Sequence, residues 1–307
     1  MNSVIQNLKN ISIFTNKILK VNDFNDKIIS SFQNLLQNLI FSNEENVSLL
    51  EFKKYFSSKY KTFEGNKDND STHFLIYLIN YLHKTYNNIN NTKISKNFDF
   101  LNLESNEKQV LNKFLNSYES RNNSFIHDLF YGYQMFKLIC SNCDHSEVSF
   151  QSFNILDIPL MDGKNSLNKL YQCINSFLYT KSNQNTDFEC KNCNKSNNFC
   201  YLSSIIYLPK ILIINLKRLG EKNEVYNHYV DIPEILETNK IEKLKCFKSK
   251  KYLLKGFICH YRKFRHNIAY LKNISDNKWY EFNDQNVKEE KNISFANAIL
   301  LFYEISE

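Results

Sequence analysis

From Phe24 onward, apolar residues recur at intervals of three and four: Ile28, Phe32, Leu35, Leu36, Leu39 and Ile40. That spacing lines one face of an amphipathic helix, and Asp23 and Asn25 stand where its N-cap is expected. Phe74, Leu75, Leu78, Ile79 and Leu82 predict a second helix of the same kind. Core packing accounts for both stripes. The Asn- and Lys-rich stretch from Asn87 to Asn97 reads as an exposed loop. Near residue 125 the helical pattern gives out, and after residue 145 short runs of β-forming residues take over. They include Val148 and Phe150, then Ile155, Ile158 and Leu160. Further runs cover Ile211 to Leu216, Tyr252 to His260, Ile268 to Leu271, Trp279 to Phe282 and Ile299 to Tyr303. Short strands in succession with short polar connections predict an antiparallel sheet. A helical first part joined to an antiparallel second part is an α+β arrangement, with a cleft between the halves as the natural place for a site.

Composition narrows the possibilities. At 307 residues with 42% hydrophobic content, the chain can bury a sizeable core and is not a disordered segment. The net charge of +7 is scattered along the chain, without the clustered basic stripe or reading motif of a nucleic-acid partner. No run approaches the roughly 20 apolar residues that a membrane span needs, and the opening residues lack the features of a secretory signal. All eight cysteines follow residue 139, four of them in Cys-x-x-Cys pairs. Without an export signal, that usage predicts a reducing intracellular compartment, cytoplasm or nucleus, and metal ligation in place of disulfides.

The pairs are Cys140-Ser141-Asn142-Cys143 and Cys190-Lys191-Asn192-Cys193. Two residues between thiolates let one tight turn offer both sulfurs to one ion, and two such turns complete a tetrahedral shell. The expected cofactor is structural Zn²⁺ on Cys140, Cys143, Cys190 and Cys193, held at two hairpin tips. A redox Cys-x-x-Cys is normally a single pair at a helix start, which neither pair resembles. Cys173, Cys200, Cys246 and Cys259 read as isolated residues.

A third feature lies near the C-terminus. His260 and His266 flank a basic loop, and Asn283 and Asp284 follow in Trp279-Tyr280-Glu281-Phe282-Asn283-Asp284. A hairpin could bring Asn283 or Asp284 beside His266, fixing its tautomer and aiming its other nitrogen outwards. That is the base and orienter of a catalytic set that still needs a nucleophile. On chemistry alone the pattern is weak, since a structural histidine satisfies it equally.

The chain resembles the ubiquitin-specific protease family (ubiquitin carboxyl-terminal hydrolases) along its whole length. Met1 to Leu8 resembles the tail of the family's Gly-Asn-Thr-Cys-Tyr-Met-Asn-Ser box, and Asp70 to Leu75 its Asp-Ala-x-Glu-Phe-Leu segment. Phe130 and Gly132, leading into Cys140, resemble the start of its zinc-bearing fingers, and Tyr207 to Arg218 its Leu-Pro-x-x-Leu-x-x-x-Leu-Lys-Arg strand. His266 to Tyr270 resembles its Gly-His-Tyr-x-Ala-Tyr box, and Trp279 to Asp284 its Trp-x-x-Phe-Asp-Asp box.

The resemblance implies a papain-like cysteine protease fold shaped as a hand: a helical thumb over 1–125, zinc-bearing fingers over 126–204 and a β-rich palm over 205–307. It implies a cysteine-type deubiquitinase acting on ubiquitin and ubiquitinated proteins, cleaving after the C-terminal glycine of ubiquitin. His266 would be the general base and Asn283 its orienter, with Asp284 as the alternate. The resemblance also places the nucleophilic cysteine two residues before Met1. The chain as it stands is therefore expected to be inactive: either its true start lies upstream, or it is a pseudoenzyme that binds ubiquitin or serves as a zinc-organised module. The preserved motifs downstream of Met1 favour the first reading, while Arg262 and Arg265 where the family carries glycine, Asn267 for tyrosine and His73 for glutamate lend some support to the second.

Overall fold

The computed structural model describes residues 1–21, 25–42, 47–65, 70–88, 103–160, 168–178, 189–196, 199–218, 229–242, 244, 249–264 and 266–306. Helices α1 (Asn2–Lys9), α2 (Ser12–Ile18), α3 (Lys27–Phe41), α4 (Leu50–Lys59), α5 (Ser71–Thr85), α6 (Ser105–Glu119) and α7 (Phe125–Phe130) come first. Strands β1 (Gly132–Cys140), β2 (Ser146–Phe153), β3 (Leu156–Pro159) and β4 (Asn168–Lys169) lead to a further helix, α8 (Leu170–Leu178). Then follow β5 (Phe199–Tyr207), β6 (Ile211–Lys217), β7 (Val230–Asp231), β8 (Ile235–Glu237) and β9 (Lys251–Tyr261). The last strands are β10 (His266–Lys272), β11 (Trp279–Asn283), β12 (Asn286–Glu289) and β13 (Ala298–Ile305). The α+β reading holds, helices first and sheet second.

Both helical stripes form as expected, as α3 and α5. The cap of α3 differs from expectation. Asp26, rather than Asn25, accepts from the backbone N–H groups of Ile28 and Ile29, at 2.8 and 3.1 Å. An N-cap side chain must sit two or three residues before the amides it satisfies, and Asn25 is one residue too early; Asp23 lies outside the described residues. The other Asp26 oxygen accepts from the Tyr81 hydroxyl of α5, so one carboxylate caps a helix and ties it to its neighbour. Asp70 caps α5 in the same manner. Of the expected loop, residues 89–97 lie outside the described residues, while Asn87 is half-buried and pairs with Arg121 and Asn123.

The large sheet runs in the order β12-β11-β10-β9-β13-β6-β3, with β8 paired to β9. Its pairings are antiparallel apart from β3, which lies parallel to β6 at the edge. A second sheet, β2-β1-β5, projects the first Cys-x-x-Cys turn at its end. The full spans of β1 and β5, beyond the hairpin tips expected at the cysteine pairs, and helix α8 went unforeseen. β1 carries Gln134 and Lys137, and β5 carries Ser203 and Ser204, which dilute their β signal.

Helices α1 to α5 and α7 pack on one face of the large sheet, and α6 packs on the smaller sheet. Val4, Ile5 and Leu8 of α1 share a core with Ile211 and Ile213 of β6, Ile258 of β9, and Leu300 and Phe302 of β13. The alternate residues, Leu212, Ile214, Phe257, Leu301 and Tyr303, turn to the opposite face and pack with α8. The N-terminus of α2 has no cap of its own; Glu304 of β13 accepts from the Ile13 amide at 3.1 Å and the Ser12 hydroxyl at 3.3 Å. Asn10, just after α1, donates through Nδ2 to the carbonyls of Lys255 at 2.7 Å and Lys272 at 3.0 Å, bridging β9 and β10. Asn7 fits the notch left by Gly256: a Cβ there would lie 2.3 Å from Asn7 Oδ1 and 2.7 Å from the Tyr270 carbonyl.

Gly256→Ala is therefore expected to destabilise the protein by about 1–3 kcal/mol, the usual cost of overpacking a closed site. Urea unfolding would show it as a lowered midpoint at unchanged slope.

Candidate functional site

His266 opens β10 and Asn283 closes β11. These strands pair antiparallel from Ala269 opposite Phe282 to Lys272 opposite Trp279. One step further, Asn283 lies across from Ile268, which shares a face with His266, so histidine and amide are diagonal neighbours. His266 Nε2 stands 2.8 Å from Asn283 Oδ1. An amide oxygen only accepts, so Nε2 carries the proton and Nδ1 is left as the acceptor. The His266 side chain is 33% exposed, leaving the imidazole reachable. Asp284 Oδ2 lies 3.7 Å from the same Nε2, beyond hydrogen-bond distance, on a carboxylate that is 74% exposed. Of the two orienters the sequence left open, Asn283 makes the direct contact. Asp284 adopts φ 53° in the tight turn between β11 and β12.

Further residues support this hairpin, and sequence reasoning had missed them. Tyr270 lies opposite Glu281 and donates its hydroxyl to Glu281 Oε2 at 2.8 Å. Lys288 of β12 pairs with Glu281 at 3.3 Å, and Tyr261 of β9 meets Tyr270 hydroxyl to hydroxyl at 3.3 Å. Burial, with the hydroxyl contact to Tyr261 and the bond donated to Glu281, keeps the Tyr270 phenol protonated. The only sequence signal was alternation, which places Tyr270 and Glu281 inside strands without giving their register. The other histidine of the basic loop, His260, is held through Nδ1 by Asn267 Oδ1 at 2.8 Å.

Helix α1 approaches the same hairpin. Its C-terminal end is fixed at Lys255 and Lys272 through Asn10, and Asn7 is fixed at Gly256, which pairs with Leu271. Moving towards Met1 thus moves along β10 towards His266.

Cys259 shares the His266 face one cross-strand pair further on, opposite Ile268. It is fully buried, and burial pushes its thiol up to about 12, so it stays protonated at neutral pH. Cys173 is buried in α8, and Cys200 sits in β5 opposite Ile139. Cys246 and Arg265 lie outside the described residues. None of the described cysteines combines exposure with a place beside His266.

Cys140, Cys143, Cys190 and Cys193 come together although 46 residues separate the pairs. Cys140 Sγ lies 3.7 Å from Cys193 Sγ, and Cys143 Sγ lies 3.7 Å from Cys190 Sγ. All four sulfurs fall within 4.8 Å of one another. A tetrahedral ion with 2.3 Å metal–sulfur bonds spaces its ligands about 3.8 Å apart, so the donor set fits a four-coordinate metal ion. The two turns repeat one geometry. The Cys140 amide donates to the His145 carbonyl at 2.8 Å and the Asp144 amide to the Cys140 carbonyl at 2.9 Å. The Cys190 amide donates to the Lys195 carbonyl at 3.0 Å and the Asn194 amide to the Cys190 carbonyl at 2.7 Å. Asp144 and Asn194 take φ of 56° and 53°, a left-handed step that Asp and Asn tolerate best after Gly. A hydrogen bond from the Asn192 side chain, with another from the His145 backbone, holds the Cys143 thiol below its usual range.

The family model described as ubiquitin carboxyl-terminal hydrolase matches residues 1–303. Ubiquitin carboxyl-terminal hydrolase Usp2 of Drosophila melanogaster is 28% identical over 324 residues, covering 99% of this chain and 33% of its own length. Ubiquitin carboxyl-terminal hydrolase 8 of Saccharomyces cerevisiae is 26% identical over 263 residues, covering 79% of this chain and 50% of its own. The chain thus spans a third to a half of these two relatives. Among solved structures, the SAGA DUB module bound to monoubiquitin contains a chain that superposes with a TM-score of 0.74 at 20% identity. That match covers 100% of this chain and 66% of the other, a likeness of fold. Among the described residues, no helix is long and apolar enough to cross a membrane.

Replacing Asn283 by Ala removes the acceptor that stands 2.8 Å from His266 Nε2. ¹⁵N imidazole NMR of the neutral ring is expected to show one Nε2–H tautomer in the parent protein and a mixture in Asn283→Ala.

Proposed function

Because this chain belongs to the ubiquitin carboxyl-terminal hydrolase family, we propose that it is the catalytic module of a cysteine-type deubiquitinase acting on ubiquitin and ubiquitinated proteins. The bond cleaved is the one after the C-terminal glycine of ubiquitin. His266, with Nε2–H donated to Asn283 and Nδ1 open, carries the reading. The cysteine nucleophile that the family implies belongs beside the N-terminal end of α1, where the macrodipole favours a thiolate.

In this mechanism His266 Nδ1 takes the thiol proton and the thiolate attacks the glycine carbonyl. The tetrahedral intermediate collapses as the imidazolium gives the proton to the departing amine. Water, deprotonated by the same nitrogen, then cleaves the thioester and restores the thiol. Asn283 holds the ring through both half-reactions and favours the imidazolium when it forms. Asp284, exposed at the turn, contributes a weaker field. In this reading the thumb covers 1–125, the fingers 126–204 and the palm 205–307.

The four-cysteine cluster holds one structural Zn²⁺. With every position taken by sulfur, the ion has no open site for chemistry and serves to tie the 190–193 turn to the end of β1. Metal analysis should find about one zinc per chain. Cys143→Ser should lose the metal and lower the thermal midpoint, while leaving the His266 tautomer unchanged.

A second reading is a pseudoenzyme that binds ubiquitin without cleaving it, or a zinc-organised interaction module. It is favoured by the absence of an accessible thiol beside His266 among the described residues, and by the exposed Arg262 in the turn that leads to it. A fluorogenic ubiquitin amide separates the readings. The full gene product should hydrolyse it, with kcat falling about 10²-fold or more in Asn283→Ala and further in His266→Ala. Affinity for ubiquitin without turnover in the full gene product would establish the pseudoenzyme. Neither affinity nor turnover would leave only the zinc-organised module.

A further inference from the structure

The bond between His266 and Asn283 lies beyond the reach of the backbone ladder between their strands. His266 pairs with Tyr261 of β9, and Asn283 pairs with Asn286 of β12. The β10–β11 pairing stops at Ala269 opposite Phe282, before either residue is reached. The histidine therefore follows β9, and the amide follows β11 and β12. Diagonal positions on a sheet stand roughly 7–8 Å apart. A small relative shift of these strands is then enough to break a side-chain bond of 2.8 Å.

On the same face, one row of side chains crosses all four strands. Tyr261 of β9 lies opposite His266, Tyr270 of β10 opposite Glu281, and Glu281 of β11 opposite Lys288 of β12. The direction of the row is set from its acidic end. An ionised carboxylate only accepts, so Tyr270 donates to Glu281 Oε2 at 2.8 Å. With that hydrogen spent, the 3.3 Å contact runs from the Tyr261 hydroxyl to the Tyr270 oxygen. Lys288 Nζ holds the other carboxylate oxygen, Oε1, at 3.3 Å. The Glu281 side chain is 13% exposed, and the Tyr270 ring is stacked on Phe257 with centroids 4.8 Å apart. Hydrogen bonds to a sheltered charged group are the strong ones, and bonds in a chain reinforce one another.

We propose that Glu281 is a positioning residue for the His266 base, acting through Tyr270 and Tyr261. The row ties β9, which His266 follows, to β11, which carries Asn283, beside the stretch where the β10–β11 ladder has ended. Glu281 lies outside the reacting set and works by keeping the Nε2–H bond to Asn283 closed, which leaves Nδ1 as the open acceptor. Removing its carboxylate strands a buried tyrosine hydroxyl, releases Tyr261, and lets the two halves of the pair drift. The inference rests on reading His266 as the base. Its test needs no nucleophile, so a failure of ubiquitin hydrolysis would sink that reading and leave the result below standing.

The measurement is ¹⁵N imidazole NMR of the neutral His266 ring in four variants. Glu281→Ala should replace the single Nε2–H tautomer by a mixture. Tyr261→Phe, which keeps the ring and deletes only the hydroxyl, should do the same and carries the test if Glu281→Ala fails to fold. Glu281→Gln retains an oxygen that accepts from Tyr270, and should keep the single tautomer. Adding Glu281→Ala to Asn283→Ala should leave the tautomer ratio of Asn283→Ala unchanged, because the path ends at that amide. A general loosening of the sheet would instead shift the ratio further in the double variant, and that result would overturn the proposal. So would a single Nε2–H tautomer in Glu281→Ala or Tyr261→Phe with the fold intact by circular dichroism. A parent protein without the single tautomer would overturn the histidine–amide pairing itself, and the proposal with it.

Discussion

The fit of α1 against β9 and β10 is the constraint on which the remaining architecture rests. Asn10 gives its two side-chain protons to carbonyls on neighbouring strands, and Asn7 occupies space that exists only because residue 256 has no side chain. The seat is not free of cost. Asn7 Oδ1 is buried without a hydrogen-bond partner among the described residues, a penalty of about 1–3 kcal/mol. Burial of Val4, Ile5 and Leu8 against the sheet offsets it, at roughly 1.5–3 kcal/mol for each side chain. Helices and sheet thereby share one core, and α1 is held in line with the strand that carries His266.

From that seat the candidate site follows with few further requirements. The β10–β11 register puts Asn283 on His266, and Tyr261, Tyr270, Glu281 and Lys288 brace the three strands around it. The cysteine cluster lies at the end of β1, in the smaller sheet, and has its own local geometry of two matched turns. The histidine–amide pair and the cysteine cluster therefore sit on different sheets and can fail independently.

What could be read from the sequence depended on how local the signal was. The Cys-x-x-Cys pairs were legible because each is one turn, and the structure brings them together across 46 residues. The stripes of α3 and α5 were legible from spacing alone. The cap of α3 was misplaced by one residue, because Asn and Asp residues crowd that stretch and only hydrogen-bond geometry selects Asp26. The choice between Asn283 and Asp284 needed a register that alternation cannot supply. The cap of α2 by Glu304 spans 291 residues and so has no local signature. The parallel edge strand β3 was hidden for the same reason: its partner β6 lies beyond α8 and β5.

The central claim is that Asn283 holds His266 with Nε2–H donated and Nδ1 open. The most direct measurement is a neutron structure that locates the imidazole protons. The account predicts hydrogen on Nε2, directed at Asn283 Oδ1, and none on Nδ1 of the neutral ring. A neutral ring with its proton on Nδ1 would contradict it.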